Sequence, residues 1–371
     1  MAIGISVGLI VRSVDPLKRS IKLVPESSLD LLNIFRLVRI GYEIYSETSR
    51  EVKKERVSGK VDSERVRVVL GIEVEGKTVD PLMRRINFAG RIIYESKPLD
   101  LLGKHHTIHL YPGVELRIRS QKEFERLKAF ASSYAGRERG GRMICISIDD
   151  ERVAVAEFSG TGLNKLYSKT FPSTDKSISW GEREIKRIFG EVASTLKDYF
   201  SKNRESDAIV IGPKIFVDDF MDFLKDSEKS ILKRIRRVYH SSVGGEDGIR
   251  EAMRSGVLRD LADLLKPVRD SLEVERFIKQ MSRNPEKVAL GFREVLEAWK
   301  LGAVEKVLIS ESFLWNHIVD EDLDRLLEAA EGGKLNLQVL LDGLEASEKI
   351  MGFGGIVAFL RYPLPLKDMV G

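Results

Sequence analysis

Along roughly the first 120 residues, apolar and polar positions alternate over short stretches. They are RSIKLVP, IGYEIYS, RVRVVLGIEVEG, RINFAGRIIYE and HTIHLYPGVELRIRS, each closed off by Gly, Pro or charged turns. Period-two alternation predicts β-strands with one face buried. Several such strands at short intervals predict a small closed barrel. One helix interrupts them, SLDLLNIFRLV, with Ser28 as its cap and Leu29, Leu32, Ile34 and Phe35 on the buried side. QKEFERLKAFASSYA then sets Phe124, Leu127 and Phe130 at helical spacing, and the polar run GRERGGR at 136–142 reads as a linker.

Beyond that linker the pattern becomes mixed. MICISIDDERVAVAEF predicts two strands joined by a turn around Asp149 and Asp150, followed by a polar loop over 159–179. From Trp180 to Phe200, Ile185, Ile188, Phe189, Val192 and Leu196 form one helical stripe. DAIVIGP reads as a buried strand, VDDFMDFLK as a helix with Asp218 and Asp219 in its first turn, and GGEDGIREAMRSGVLRDLADLL as another helix. From Lys266 onward helices come first, SLEVERFIKQMSRN and PEKVALGFREVLEAWKLG. Strand EKVLISE, helix EDLDRLLEAAE, strand LNLQVLLDG, a helix near Ala346–Met351 and strand GGIVAFLRYP follow. The chain therefore divides into three blocks, 1–135 mainly β, 143–265 mixed α/β, and 266–371 a three-layer α/β/α unit.

Composition adds boundaries to this picture. At 371 residues, with 43% hydrophobic and 32% charged residues, the chain suits a soluble protein of two or three domains. No apolar run approaches the ~20 residues of a membrane span. The opening MAIGISVGLIVRS is too short and too strand-like for a signal peptide. Cys145 is the only cysteine, which excludes an internal disulfide and a cysteine-based zinc cluster. A cytoplasmic protein without membrane attachment is expected.

Charge is segregated. Residues 1–145 carry 27 Lys and Arg against 18 Asp and Glu, a net of +9, so the formal +4 of the chain leaves −5 for the rest. A thermophilic source accounts for abundant Glu, Lys and Arg, but not for this segregation. It is sharpest between Thr48 and Arg67. There Arg50, Lys53, Lys54, Arg56, Lys60, Arg65 and Arg67 face only Glu51, Glu55, Asp62 and Glu64, with almost no apolar bulk. A basic, Gly- and Ser-containing excursion between two strands cannot bury itself and should project into solvent. It reads either as a solvated surface hairpin or as an arm for a phosphate backbone, which Lys and Arg bind without reading bases.

Catalytic motifs are missing. The chain has no Gly-x-x-x-x-Gly-Lys-Ser/Thr loop, no Gly-x-Ser-x-Gly elbow and no His-Glu-x-x-His pair. GFGG at 352–355 precedes a strand and reads as a tight turn. His105, His106 and His109 fall on a strand, with His105 and His109 on one face and no acid or cysteine at useful spacing. Asp149 and Asp150 read as turn residues, and Asp218 and Asp219 as complements of a helix dipole. No catalytic residue can be named.

The three blocks in this order resemble the Pelota family of archaeal and eukaryotic ribosome-rescue proteins, paralogues of the class 1 translation termination factors. The resemblance spans essentially the whole chain. It rests on IKLVPESSLDLLNIFRLVRIGYEI, SGKVDSERVRVVLGIEVEG, FAGRIIYESKPLDLLGKHHTIHLYPG, LGAVEKVLISESFL and LLDGLEASEKIMGFGGIVAFLRYPL. It implies a multidomain α+β fold: an N-terminal Sm-like β-barrel, a middle mixed α/β, ribonuclease-H-like domain and a C-terminal α/β/α domain. Termination factors carry Gly-Gly-Gln in the middle domain. Here Gly-Gly at 140, 244, 332 and 354 is followed by Arg, Glu, Lys and Ile, so peptide release should be absent.

The resemblance further implies entry into the empty ribosomal A site, in contact with rRNA and mRNA. Entry is with GTP-bound elongation factor 1 alpha, after which an ABC-type recycling ATPase separates the subunits. No cofactor is implied for this rescue, and a monomer is expected. The arm Arg50–Arg67 maps onto the decoding centre and mRNA channel. Pro213, which is followed by Lys214-Ile215 with Phe216 one place beyond the phenylalanine of the family's usual Pro-Gly-Phe, and Lys165 and Lys169, what is left of a basic cluster in relatives, map onto the GTPase contact. Some archaeal members are credited with a divalent-metal-dependent endoribonuclease activity in the barrel domain, the alternative function. The residues name no metal ligands for it.

Overall fold

Three sheets carry the chain, one within each block that the sequence marks off. The computed structural model describes residues 8–55, 61–134, 142–160, 162–170 and 182–366. The first run holds β1 (Ile10–Asp15), β2 (Ser20–Val24), α1 (Ser28–Leu37), β3 (Glu43–Glu55), β4 (Val61–Asp80), β5 (Arg85–Glu95), β6 (His105–Leu110), β7 (Leu116–Arg119) and α2 (Phe124–Tyr134). The second holds β8 (Met143–Ile148), β9 (Arg152–Ser159), β10 (Gly162–Thr170), α3 (Glu182–Lys202), β11 (Asp207–Gly212), α4 (Lys214–Ser227), α5 (Lys229–Leu232), β12 (Ile235–His240) and α6 (Gly245–Ser255). The third holds α7 (Lys266–Arg283), β13 (Val288–Leu290), α8 (Gly291–Lys300), β14 (Val304–Ser310), α9 (Glu311–His317), α10 (Glu321–Glu331), β15 (Leu337–Leu340), α11 (Glu345–Gly352) and β16 (Ile356–Leu360). By its contacts the chain forms two compact units, residues 1–137 with 311–338, and residues 138–310 with 339–371.

In the first unit the sheet order is β1-β2-β7-β3-β4-β5-β6, with antiparallel neighbours throughout. Alternation sends Ile86, Phe88 and Ile92 of β5 into the core. A Cβ at Gly90 would lie 1.8 Å from the Glu73 carbonyl oxygen, so β4 and β5 approach where only glycine fits. Register shifts at Gly71/Ile72 and Val74/Gly76 bend the sheet there. HTIHLYPGVELRIRS is not one run: the turn at Gly113 (φ 89°) splits it, and β7 inserts between β2 and β3.

Helix α1 is tied at both ends. Its N-cap is Ser27, not Ser28, because Asp30 closes a capping box on Ser27. Asp30 Oδ2 accepts from the Glu26 amide (3.0 Å), the Ser27 amide (2.8 Å) and the Ser27 hydroxyl (2.8 Å). At the other end Lys77 Nζ donates to the carbonyls of Phe35 (2.8 Å) and Val38 (3.0 Å). Arg126 donates to those of Leu37 (2.8 Å) and Arg36 (3.2 Å). Carbonyls left over at a helix C-terminus thus meet two cations that also complement its dipole.

In the second unit the middle sheet runs β10-β9-β8-β11-β12, with β11 parallel to β8 and β12 and the other pairs antiparallel. Every residue of β8 is buried, because both faces are covered. One face packs Ile144, Ile146 and Val210 against Val192, Leu196 and Phe220, on α3 and α4. The other packs Cys145, Phe158 and Ile209 against Ile249, Leu265 and Val268. The C-terminal sheet, β13-β16-β14-β15, shares a core of Val274, Phe277, Leu308, Val357 and Phe359. At the start of α7, Lys266 Nζ donates to buried Asp270 Oδ2 (2.6 Å) and to the Val339 carbonyl (2.5 Å).

Several elements differ from the sequence reading. The supposed polar loop after residue 159 contains β10, and IRRVYH forms β12. Both are edge strands that need pairing on one side only, so they tolerate charge. The helix expected over 244–265 ends at Gly256, whose φ of 82° is the left-handed cap conformation. Residues 288–290, read as helix, pair with β16, and Gly291 (φ 75°) turns the chain into α8. Helix α9 went unrecognised, and α4 begins at Lys214, which places Asp218 and Asp219 in its second turn.

Two tests follow from the buried carboxylates. Asp30 is fully buried, and burial first of all pushes its pKa up to about 6. Its folded pKa thus exceeds its unfolded value, so this group costs stability above pH 6, a cost relieved as pH falls from 6 toward 4. Between pH 4 and pH 7 Asp30→Asn should therefore gain on the parent by up to about 2–3 kcal/mol, measured by urea denaturation at each pH. Lys266→Met removes the cation from the buried Asp270 carboxylate and should destabilise the unit by about 3–5 kcal/mol. Lys266→Met with Asp270→Leu should recover most of that loss in the same denaturation measurement.

Candidate nucleic-acid interface

The basic segment is built as strand, not as an unstructured excursion. β3 and β4 stay in register from Glu43↔Glu73 to Glu55↔Val61. β3 also pairs with β7, but only over Glu43–Ser46, and β4 pairs with β5 only from Leu70 onward. Residues 47–55 and 61–68 therefore pair only with each other along the ladder, a two-stranded ribbon about 30 Å long at ~3.4 Å per residue. In this register Glu51 stands opposite Arg65 and Lys54 opposite Asp62. Arg50 stands opposite Val66 and Lys53 opposite Ser63. Arg56 and Lys60 lie outside the described residues.

This register also places the charge. All four acids of the segment fall in the paired strands, whereas residues 56–60 contribute Arg56 and Lys60 and no acid. By sequence, two of the three surplus positive charges of 48–67 fall in residues 56–60. Arg67 is 86% exposed and sits 3.6 Å from Glu47, a surface pair of little energetic consequence. Counting charge over 48–67 overlooks the foot of the ribbon, where Lys22, Arg117 and Tyr45 occupy one cross-strand row. The alternation in LRIR, with Leu116 and Ile118 inward, was the available signal.

The four residues mapped onto a GTPase contact are not one cluster. Pro213 is the N-cap of α4, and its carbonyl accepts from the Phe216 (3.1 Å) and Val217 (3.2 Å) amides. Phe216 is half-buried beside Ile185, Ile188 and Phe189, while Ile215 is 65% exposed. Lys165 and Lys169 lie on β10, separated from β11 by β9 and β8. Lys165 pairs with Glu246 of α6 (3.0 Å) and Lys169 with Glu191 of α3 (2.9 Å), helices that cover opposite faces of the sheet. Hydrogen bonding from Tyr167, then from Lys169, holds the Glu191 carboxyl below its usual range. Lys165 does the same for Glu246.

Other candidates have structural partners. His105 Nδ1 lies 3.2 Å from Glu75, and His109 Nδ1 lies 2.7 Å from Asn87 Oδ1, both on β6 as the alternation predicts. Among the described residues no group of three or more His, Cys, Asp or Glu is arranged to hold a metal ion. Asp149 Oδ1 accepts from the Glu151 (2.9 Å) and Arg152 (2.6 Å) amides, as expected of a turn residue. Its Oδ2 accepts from the Gly244 amide (2.6 Å), a joint to α6 that sequence does not reveal. Gly354 and Gly355 take φ of 93° and 80° in the turn before β16, the tight turn expected of GFGG. Among the described residues no helix is long and apolar enough to cross a membrane.

Comparison with known proteins places this geometry. Residues 9–130 match the Pelota N-terminal domain and residues 268–364 match domain 3 of eRF1. The chain is 27% identical over 355 residues to the protein pelota homolog of Pyrococcus furiosus, covering 94% of this chain and 98% of that one. It is 28% identical over 363 residues to that of Pyrococcus horikoshii, with 94% and 98% covered. Its fold is similar to the crystal structure of the Thermoplasma acidophilum Pelota protein, with a TM-score of 0.61 at 17% identity over 95% of this chain and 99% of that one. With a seven-stranded antiparallel sheet at its N-terminus, a mixed middle sheet and a C-terminal α/β domain, the chain carries a Pelota N-terminal domain and an eRF1 domain 3 and is similar along 94% of its length to pelota homologs.

Proposed function

We propose that this protein rescues stalled ribosomes, entering an empty A site and leading to subunit dissociation and mRNA surveillance without releasing the peptide. The observation that carries this reading is the ribbon of β3 and β4, a cation-rich projection rooted in a packed sheet. Its Lys and Arg are suited to sugar-phosphate, which they bind whatever the base, so it would act on any codon or on none. Similarity to pelota homologs along the chain supports the ribosome as the source of that RNA. The absence of Gly-Gly-Gln anywhere in the chain supports rescue without acyl hydrolysis.

In this reading a GTP-bound translational GTPase, elongation factor 1 alpha in an archaeon, delivers the protein, and an ABC-type ATPase completes the separation. The GTPase contact would centre on the start of α4, where exposed Ile215 follows Pro213. Lys165 and Lys169 would have to exchange their carboxylate partners for those of the GTPase.

Charge reversal at Lys53, Lys54 and Arg56 should weaken binding to ribosomes with an empty A site. It should also flatten the salt dependence by about one unit for each phosphate that is no longer neutralised. Sedimentation with ribosomes across a salt series reads both quantities. Binding that is unchanged at moderate salt contradicts the role of the ribbon. For the GTPase, gel filtration should show a complex in the GTP state that Phe216→Ala weakens. A Phe216→Ala protein that binds as tightly as the parent removes Phe216 from the interface. RNA cleavage dependent on Mg²⁺ or Mn²⁺, abolished by acidic substitutions in the N-terminal sheet, would favour the nuclease alternative.

A further inference from the structure

At the foot of the ribbon, on the face of the sheet turned away from the core, five strands place one residue each in a single cross-strand row. Lys22 on β2 stands opposite Arg117 on β7, and Arg117 opposite Tyr45 on β3. Tyr45 stands opposite Gly71 on β4, and Gly71 opposite Tyr94 on β5. Gly71 is what makes the row a platform. A Cβ there would lie 2.5 Å from two ring carbons of Tyr45, so the Tyr45 ring lies across β4 where any other side chain would stand. It meets the Tyr94 ring edge-on, with centroids 5.8 Å apart at 63°. The Tyr45 hydroxyl donates to Glu43 Oε2 (2.5 Å), an oxygen that also accepts from Arg119 (2.9 Å), and this fixes the ring.

The platform floors a groove of about 890 Å³. Its lining carries Lys18, Lys22, Arg117 and Arg119 against Glu47 and Glu115, an excess of positive charge. Glu115 is engaged with Lys22 (2.6 Å). Among the described residues the exposed Arg117 guanidinium has neither an ion-pair nor a hydrogen-bond partner, and Tyr94 is 46% exposed. Aromatic rings beside cations in an open groove suit an unpaired nucleotide, which offers a π-face and a phosphate together. An acidic peptide would use the cations but leave the rings without a role.

We propose that this groove is a single-stranded RNA subsite, in which an unpaired base stacks on the Tyr45–Tyr94 platform while flanking phosphates meet Lys18, Lys22 and Arg117. The subsite rests on the RNA-binding reading of the ribbon and extends it: the ribbon grips backbone, whereas its foot holds a base. Stacking makes the subsite tolerant of base identity, since every base presents a ring face.

The test uses the full chain and two short fluorescent probes, a ten-nucleotide oligo(U) and an abasic sugar-phosphate oligomer of equal length, read by anisotropy. Tyr94→Ala should weaken oligo(U) binding about tenfold and leave the abasic oligomer unaffected, and Tyr94→Trp should restore oligo(U) binding. Arg117→Glu should weaken both probes and lower the salt slope by about one unit. Thermal melts that match the parent show that these outward-facing substitutions leave the fold intact. Oligo(U) binding by Tyr94→Ala within twofold of the parent, or an equal loss on both probes, overturns the subsite. So does a parent that does not bind oligo(U). Because the ribbon variants are scored on ribosomes, their failure leaves this oligo(U) result to decide the subsite separately, and the reverse also holds.

Discussion

The unbroken register between β3 and β4 is the constraint on which the rest of the N-terminal surface depends. A two-stranded ribbon alone in water is marginal. This one continues strands whose other ends are locked by Ile44, Leu70 and Ile72 in the core and by pairing to β7 and β5. The packed sheet therefore fixes the direction of a segment that has almost no apolar surface of its own. The same register that joins the strands sets Glu51 opposite Arg65 and Lys54 opposite Asp62. The position of the projection and the placing of these charges thus come from one cause.

Buried acids elsewhere serve as joints. Asp30 closes the start of α1, Asp149 fastens the β8–β9 turn to α6, and Asp270 with Lys266 ties the first turn of α7 to β15. Each spends at least one oxygen on backbone amides or a buried cation, which is how a carboxylate becomes tolerable away from water. Lys77 and Arg126 do the complementary work at the C-terminus of α1. The polar interior is a set of element-to-element fastenings, in keeping with a protein whose activity in the proposed reading is binding and remodelling.

Legibility in the sequence followed burial. Where one face is apolar, as in RINFAGRIIYE, or where a helix shows a continuous stripe, as in α3, the elements were readable because periodicity reports which side meets the core. β10 and β12 were not readable, since edge strands carry Lys and Arg that mimic a loop. Gly256 and Gly291 each redirected the chain through a positive φ that composition alone does not assign. For the candidate site, the seven cations of the segment were visible as charge, but the placing of Glu51 opposite Arg65 and Lys54 opposite Asp62 needed the register. The row from Lys22 to Tyr94 draws on five strands and, with Arg117, on 96 residues of sequence, so no local pattern contains it.

The most direct test of the central claim, that this projection lies against RNA, is a photo-cross-link from its exposed flank. With a benzophenone side chain in place of Arg67, irradiation on ribosomes with an empty A site should yield adducts to RNA, identified by reverse-transcription stops. Adducts to ribosomal protein alone, or none above the level of the same label on α6, would contradict it.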